Sequence, residues 1–371
     1  MLKNCLGIIN LDENEDKIKE LTRNRPLASI PIAGRYRIID FILSNLTNAG
    51  VESIGIFSKM QSRSLMDHLS NGRPWDLNRK IDGLRFFNFT TTDPCIDDIT
   101  NFANNIEYLY RAKQEYVIFA SSHMICNIDF KSILKNHIES DCDITMVYKE
   151  VGDADENFCG CEALNIDEEG TVLSVGKNIG NKKNANIGMG IYIMKKEFLI
   201  DIINECTSTG FYRKVKSYIY NSLDKLKVGS HEFKGYLACI NSLKTYYKAS
   251  MDLLDHKINK ELFSQERPIY TKTNDEIPAR YNNECIVKNS IIASGCLIEG
   301  TVENSIIFRR VKVSKGAELR NCIILQNSII GENGRLYNII TDKYVIISDN
   351  QELKGDITIP LVVEKDGRKE Y

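Results

Sequence analysis

From Cys285 onward, aliphatic residues recur at six-residue intervals, and no other feature of the 371-residue chain restricts its fold so tightly. The blocks are Ile286, Ile292 and Ile298; Ile307, Val313 and Leu319; Ile324, Ile330 and Leu336; then Ile340 and Ile346. Between blocks the register slips by a residue or two, and Gly295, Gly300, Gly316, Gly331 and Gly334 mark corners. A β-sandwich would instead alternate with period two along longer strands. A six-residue period fits a parallel β-helix whose short strands stack their aliphatics from coil to coil. So short a stack leaves an end that the rest of the chain or a partner subunit must cover.

Ahead of this region the texture differs. Short apolar runs (Cys5–Ile9, Ser53–Phe57, Tyr116–Ala120, Asp143–Val147, Ile187–Tyr192) read as strands. Amphipathic stretches between them (Ile39–Asn48, Ser62–Leu69, Asn101–Ala112, Phe130–Ile138, Phe198–Cys206, Lys244–Leu254) read as helices. Alternation of this kind predicts an α/β domain with a mostly parallel sheet covered on both faces. Its ligand site is expected at the carboxyl ends of the strands, where the strand order switches. The partition is residues 1–258 as the α/β domain, a polar linker 259–284 containing Pro268 and Pro278, and the β-helix over 285–371.

The first strand runs into Asp12-Glu13-Asn14-Glu15-Asp16, four carboxylates with no glycine. A strand-to-helix turn at this place in an α/β chain is the usual phosphate cradle, built from glycines and bare N–H groups. A carboxylate ~4 Å from a phosphate costs roughly 4 kcal/mol at an effective dielectric of 20. Taken alone, the loop reads as a solvated acidic turn; set at a phosphate cradle's position, it would repel the ligand.

Charge narrows the partners. A net charge of −2 and a pI near 6.3 leave no footprint for nucleic acid or an anionic membrane. No apolar run is long enough to span a bilayer, and Met1–Cys5 does not open a signal peptide. Eleven cysteines, an odd number scattered through apolar runs, suit reduced thiols in a cytoplasmic protein.

Three stretches ahead of the repeat combine into a pattern: Gly34-Arg-Tyr-Arg-Ile-Ile-Asp-Phe-Ile-Leu-Ser-Asn45, Arg73-Pro-Trp-Asp-Leu77 and Tyr246-Tyr-Lys-Ala-Ser-Met-Asp-Leu253. With the hexapeptide tail, the chain resembles the glucose-1-phosphate adenylyltransferases (ADP-glucose pyrophosphorylases) of bacterial glycogen synthesis over essentially its whole length. It looks most like the D-type subunit, the degenerate companion of the catalytic C-type subunit. The resemblance implies a Rossmann-like nucleotidyltransferase domain followed by a left-handed parallel β-helix. It also implies chemistry in which glucose 1-phosphate attacks the α-phosphorus of ATP while magnesium neutralises charge.

Residue by residue, the resemblance implies a lost active site. The family's Gly-Gly-x-Gly-x-Arg loop falls on Asp12, Glu13, Glu15 and Lys17, and a family lysine falls on Leu27. The two magnesium aspartates fall on Ser122 and Cys239, neither a hard anionic oxygen ligand. A Gly-Thr-Ala segment beside the nucleotide base becomes Asn101-Phe-Ala103, where Phe102 would crowd the pocket. On the sugar side, Lys177 and Tyr192 survive as substrate-binding remnants, while Gly188 stands where the family has serine. The resemblance therefore implies no cofactor here, the family's Mg2+ site being lost.

The regulatory side reads differently. Arg23, Arg25, Arg35 and Arg37 bracket the region where family members bind regulatory phosphates, and Arg309, Arg310, Lys312 and Lys315 could complete such a site. The expectation is a regulatory or structural subunit, inactive alone, joined to a catalytic glucose-1-phosphate adenylyltransferase subunit in a heterotetramer that takes a sugar-phosphate or nucleotide effector. Two alternatives are an active nucleotidyltransferase with altered metal ligands and a hexapeptide-repeat acyltransferase. The second needs a base between coils, and all five histidines (His68, His123, His137, His231, His256) precede the repeat.

Overall fold

A computed structural model describes residues 2–58, 63–88 and 97–365. They form two compact units, each discontinuous in sequence. The first comprises Met1–Glu13, Phe41–Cys239 and Ser264–Tyr270; the second comprises Asn14–Asp40, Ile240–Phe263 and Thr271–Tyr371. The acidic stretch thus straddles a boundary, with Asp12 and Glu13 in the first unit and Glu15 and Asp16 in the second.

The first unit is built on a nine-stranded sheet. Its strands are β1 (Cys5–Leu11), β2 (Ser53–Ser58), β3 (Gly83–Asn88), β4 (Tyr116–Ala120), β5 (Ile144–Val151), β6 (Glu162–Ile166), β7 (Val172–Lys177), β8 (Ala185–Lys195) and β9 (Val228–Glu232). β1 lies between β2 and β4, parallel to both, and β3 continues parallel beyond β2. The chain therefore switches direction of strand addition between β1 and β4, as a doubly wound sheet requires for a ligand crevice at the strand ends. β1 is buried at every position, which explains its apolar run Cys5–Ile9.

Two strands depart from the parallel arrangement, β7, which runs antiparallel to β6, and the long strand β8. β8 runs antiparallel to β4 and β5, and its register shifts between Gly188 and Tyr192. Gly190 sits there at φ +65°, where a Cβ would come within 2.2 Å of Ser121 Oγ, so glycine is required. The stretch expected as one helix over Asn101–Ala112 is two, Asp98–Asn104 and Ile106–Arg111. Asn105 breaks it: its side-chain amide donates to the Asn101 carbonyl (2.9 Å), a local bond that competes with helix continuation. The helix expected from Ser62 spans Arg63–Leu69, and Ser62 itself lies outside the described residues.

In the second unit the repeat forms a left-handed parallel β-helix with three faces, each a five-stranded parallel sheet. Aliphatics stack in register inside it: Ile298, Val313, Ile330 and Ile347 on one face, and Val302, Leu319 and Leu336 on another. Two residues of the expected stripe face outward instead. Ile286 and Ile346 are exposed, and their neighbours Val287 and Ile347 point inward. The reason is at the corners, where Asn289, Asn304, Asn321, Asn333 and Asn338 adopt left-handed φ values. Their side chains form ladders between coils, with Asn289 donating to Asn304 (2.8 Å) and Asn321 to Asn338 (3.1 Å). Corner residues fix coil length, and coil length decides which of two adjacent isoleucines enters the core.

Candidate functional site

β1 and β4 end side by side, so the residues that follow Leu11 and Ala120 meet at the carboxyl edge of the sheet. There the Glu13 carboxylate accepts two hydrogen bonds through one oxygen, from the Ser122 backbone N–H (2.6 Å) and the Ser122 hydroxyl (2.8 Å). His123 Nδ1 lies 3.8 Å from the same oxygen, beyond hydrogen-bond reach but close enough for attraction. Burial would push the Glu13 carboxyl up. His123 and the two Ser122 donors outweigh it and hold the group below the ordinary carboxylate range. A carboxylate of the acidic loop thus sits on Ser122, the residue expected at a metal position.

Cys239 completes this edge. A short strand, Ala238–Cys239, pairs antiparallel with Met124–Ile125, directly after Ser122 and His123. The Cys239 thiol does not face open space: its sulfur lies 3.2 Å from the sulfur of Cys161. Hydrogen bonding to Cys161 and burial together push the Cys239 thiol well above its usual range. Ser122 offers a neutral hydroxyl already bonded to Glu13, and Cys239 offers a thiol packed on a thiol. Neither is the hard anionic oxygen that magnesium takes, so this donor pair does not fit magnesium.

Five residues that sequence reading missed, Glu162, Lys214, Lys216, Tyr220 and Asp98, lie in the same unit. Lys216 pairs with Glu162 (2.9 Å), and Glu162 also accepts from the Tyr192 hydroxyl (2.8 Å), which in turn meets the Tyr220 hydroxyl. Burial opposes ionisation at both Lys216 and Glu162, but their mutual attraction raises the lysine pKa and lowers the glutamate's. Lys214 pairs with Asp12 (2.6 Å). Asp98 accepts from the Val215 N–H and from Asn10 (both 3.0 Å), and burial pushes its carboxyl up to about 6. Nothing local in the sequence announces these pairs, because the partners are 54 to 202 residues apart.

Gly188 belongs to the same arrangement. A Cβ there would lie 3.2 Å from the Glu162 Cβ and 3.3 Å from its Oε2, so glycine leaves room for the Glu162 side chain. Of the two residues expected on a sugar side, Tyr192 is fully buried in this network, while Lys177 is exposed on β7 opposite Glu162 in register. Phe102 is fully buried and packs on Phe57 and Phe119, making it a core residue. Trp75 is also buried, its indole N–H donating to Ser44 (3.3 Å) and its ring meeting the edge of His68.

The remaining predicted residues lie in the second unit. Glu15 accepts from the backbone N–H of Leu27 (2.6 Å), Leu27 itself is core, and Lys17 is exposed. The arginines separate into groups. Arg25 pairs with Asp342, one guanidinium nitrogen meeting both carboxylate oxygens at 2.6 Å, and both side chains are at least nine-tenths buried. The other terminal nitrogen of Arg25 is buried with no partner among the described residues. Next to this pair stands Lys343, which sequence reading missed. Burial, together with the charges of Arg37 and Arg25, pushes its pKa down to about 7.

Arg37 donates to the Ser29 hydroxyl (2.6 Å), and Arg23 pairs with Glu364 at the surface. Arg35 stacks on the Tyr36 ring, Arg310 pairs with Glu276, and Arg309 is pushed down mainly by burial and then by the Arg35 and Arg310 charges. Arg25 and Arg37 both act electrostatically on Lys343, and Arg25 alone pairs with Asp342; Arg35 and Arg310 act in the same way on Arg309.

Comparison with known proteins accords with this architecture. Residues 16–256 match the nucleotidyl transferase family, and residues 276–358 match the GlmU-like C-terminal hexapeptide family. The chain is 38% identical over 318 residues to the glycogen biosynthesis protein GlgD of Bacillus subtilis (strain 168), covering 85% of this chain and 82% of that protein. The chain belongs to the GlgD-like ADP-glucose pyrophosphorylase family. GlgD of Geobacillus stearothermophilus is 37% identical over 85% of the chain and 83% of its own length. The glucose-1-phosphate adenylyltransferase of that organism is 29% identical over 86% and 84%. No helix among the described residues is long and apolar enough to cross a membrane.

Proposed function

We propose that this chain is a non-catalytic, regulatory subunit of glycogen biosynthesis that joins a catalytic glucose-1-phosphate adenylyltransferase subunit in a cytoplasmic heterotetramer. The observation that carries the reading is the Glu13 carboxylate seated on the Ser122 donors at the strand ends. Nucleotidyl transfer needs phosphate donors and a metal carboxylate there; this chain puts a protein carboxylate on a serine. The Glu162–Lys216 and Asp12–Lys214 pairs support it by engaging both nearby lysines internally. A phosphate ligand would have to break those pairs before any cation could serve it.

The test is a three-way assay: this chain alone, the catalytic subunit alone, and both mixed. This chain alone is expected to make no measurable ADP-glucose. The mixture is expected to co-elute on size exclusion and to differ from the homomeric enzyme in KM or effector response. Coupling of this kind typically amounts to about 1–3 kcal/mol, or roughly 5–150-fold in affinity. Turnover by this chain alone, or unchanged kinetics without co-elution, refutes the reading.

The cationic group of Arg25, Arg37 and Lys343 is the proposed effector site, for a ligand bearing phosphate. Support comes from the buried, unpartnered nitrogen of Arg25 and from the Arg25 and Arg37 charges that act together on Lys343. Lys343 makes the site pH-dependent. With a folded pKa of about 7 against an ordinary value of 10.5, the folded lysine has lost its proton over a range where the unfolded one keeps it. Stability is therefore expected to rise with pH from about 7 toward 10, and Lys343→Met should flatten that rise. An anion beside Lys343 favours its charged form, so inorganic phosphate binding at pH 8 should take up a proton. Calorimetry in two buffers of different ionisation heat reads that uptake; equal heats in both would exclude Lys343 from the site.

A further inference from the structure

The contact between Cys161 and Cys239 has no part in the function proposed above. We infer that these two thiols form a peroxide-responsive redox pair that closes to a disulfide across the carboxyl edge of the sheet. Their sulfurs are 3.2 Å apart, so only a small side-chain movement separates the contact from a bond. Both residues are buried, at 6% and 2% exposure, so they cannot turn away into solvent. They come from segments 78 residues apart in sequence, and nothing but the tertiary fold brings them together.

What the bond would join gives it consequence. Cys161 immediately precedes Glu162, which holds Lys216 and Tyr192. Cys239 pairs with Met124, two residues beyond Ser122, and is the last residue of its stretch in the first unit before the chain enters the second. A disulfide would pin that exit point to the start of β6.

The oxidant is a hydroperoxide, small enough to reach buried sulfur during brief openings. One thiolate attacks hydrogen peroxide and becomes a sulfenic acid, releasing hydroxide, which takes up a proton to become water. The second thiol then attacks that sulfur, expelling a second water. In sum, two thiols and one peroxide give one disulfide and two waters, both sulfurs being oxidised and both peroxide oxygens reduced. The raised pKa of Cys239 keeps thiolate scarce, so the reaction is slow unless the edge opens. Cys159 is the nearest competitor in sequence, but its thiol donates to the Asp155 carbonyl (2.9 Å).

The full chain, reduced and then treated with hydrogen peroxide, is mapped by mass spectrometry after free thiols are blocked. The expected result is a 161–239 linked peptide and a Tm raised by several degrees, because a cross-link closing a loop of this length restricts the unfolded chain. Dithiothreitol should reverse both changes. Cys161→Ser and Cys239→Ser should each abolish them, and Cys159→Ser should not. A map without the 161–239 link, a link through Cys159 instead, or peroxide-treated protein whose Tm is unchanged while the link is present would overturn the inference.

Discussion

Placing carboxylates at the two proposed metal positions, Ser122→Asp with Cys239→Asp, is expected to leave the chain without ADP-glucose synthesis and to destabilise it. Both new groups enter occupied ground. A carboxylate in place of the Ser122 hydroxyl would face that of Glu13, which now accepts from the hydroxyl at 2.8 Å. Two carboxylates ~4 Å apart repel by roughly 4 kcal/mol at an effective dielectric of 20. The carboxylate in place of the Cys239 thiol would press on Cys161, with the Glu13 and Glu162 charges nearby. Even if magnesium offset part of this, a nucleotide triphosphate would still meet Asp12, Glu13 and Glu15 where N–H groups should cradle it. Activity should return only when Asp12–Lys17 is rebuilt as a glycine-rich loop with arginine, together with Leu27→Lys and both aspartates. The measurement is ADP-glucose formation by the double variant against the full rebuild, beside an unfolding curve for each. Turnover by the double variant in the ordinary enzyme range, about 1–10³ s⁻¹, would show that the acidic loop is not the barrier.

The second large effect concerns stability. Asp342→Ala should destabilise the chain by about 3–5 kcal/mol, because it strands Arg25 as a buried, uncompensated charge. The pair is among the least exposed in the molecule, with side-chain exposures of 7% and 5%. Adding Arg25→Met should recover much of that loss, since replacing both partners of a buried pair by apolar groups is often nearly neutral. Urea unfolding of wild type, both single variants and the double variant closes the cycle. Strictly additive losses would mean that the two side chains do not interact. Inorganic phosphate should also stabilise Asp342→Ala more than wild type, because the anion can take the place of the lost carboxylate.

Much of this was legible in the amino-acid order. The six-residue period identified the β-helix, and alternating apolar runs identified the mostly parallel sheet, because both signals are local and repeat along the chain. The residue types at Asp12, Glu13, Ser122 and Cys239 were legible too, and the proposal that the site is inactive starts from them. What those residues do instead was not legible. That Glu13 lands on Ser122, that Cys239 lands on Cys161, and that Lys216 neutralises Glu162 are contacts between segments 54 to 109 residues apart.

Sequence also pooled the arginines that the fold separates, placing Arg25 with Asp342 and Arg310 with Glu276, and it gave no weight to Lys343. In the β-helix it chose Ile286 and Ile346 as core where their neighbours Val287 and Ile347 pack inward, because the coil length set by left-handed asparagine corners decides the register. Periodicity and residue chemistry are written along the chain and can be read from it. Partner choice and pKa depend on which distant groups share a buried, low-dielectric space, and only the folded chain decides that.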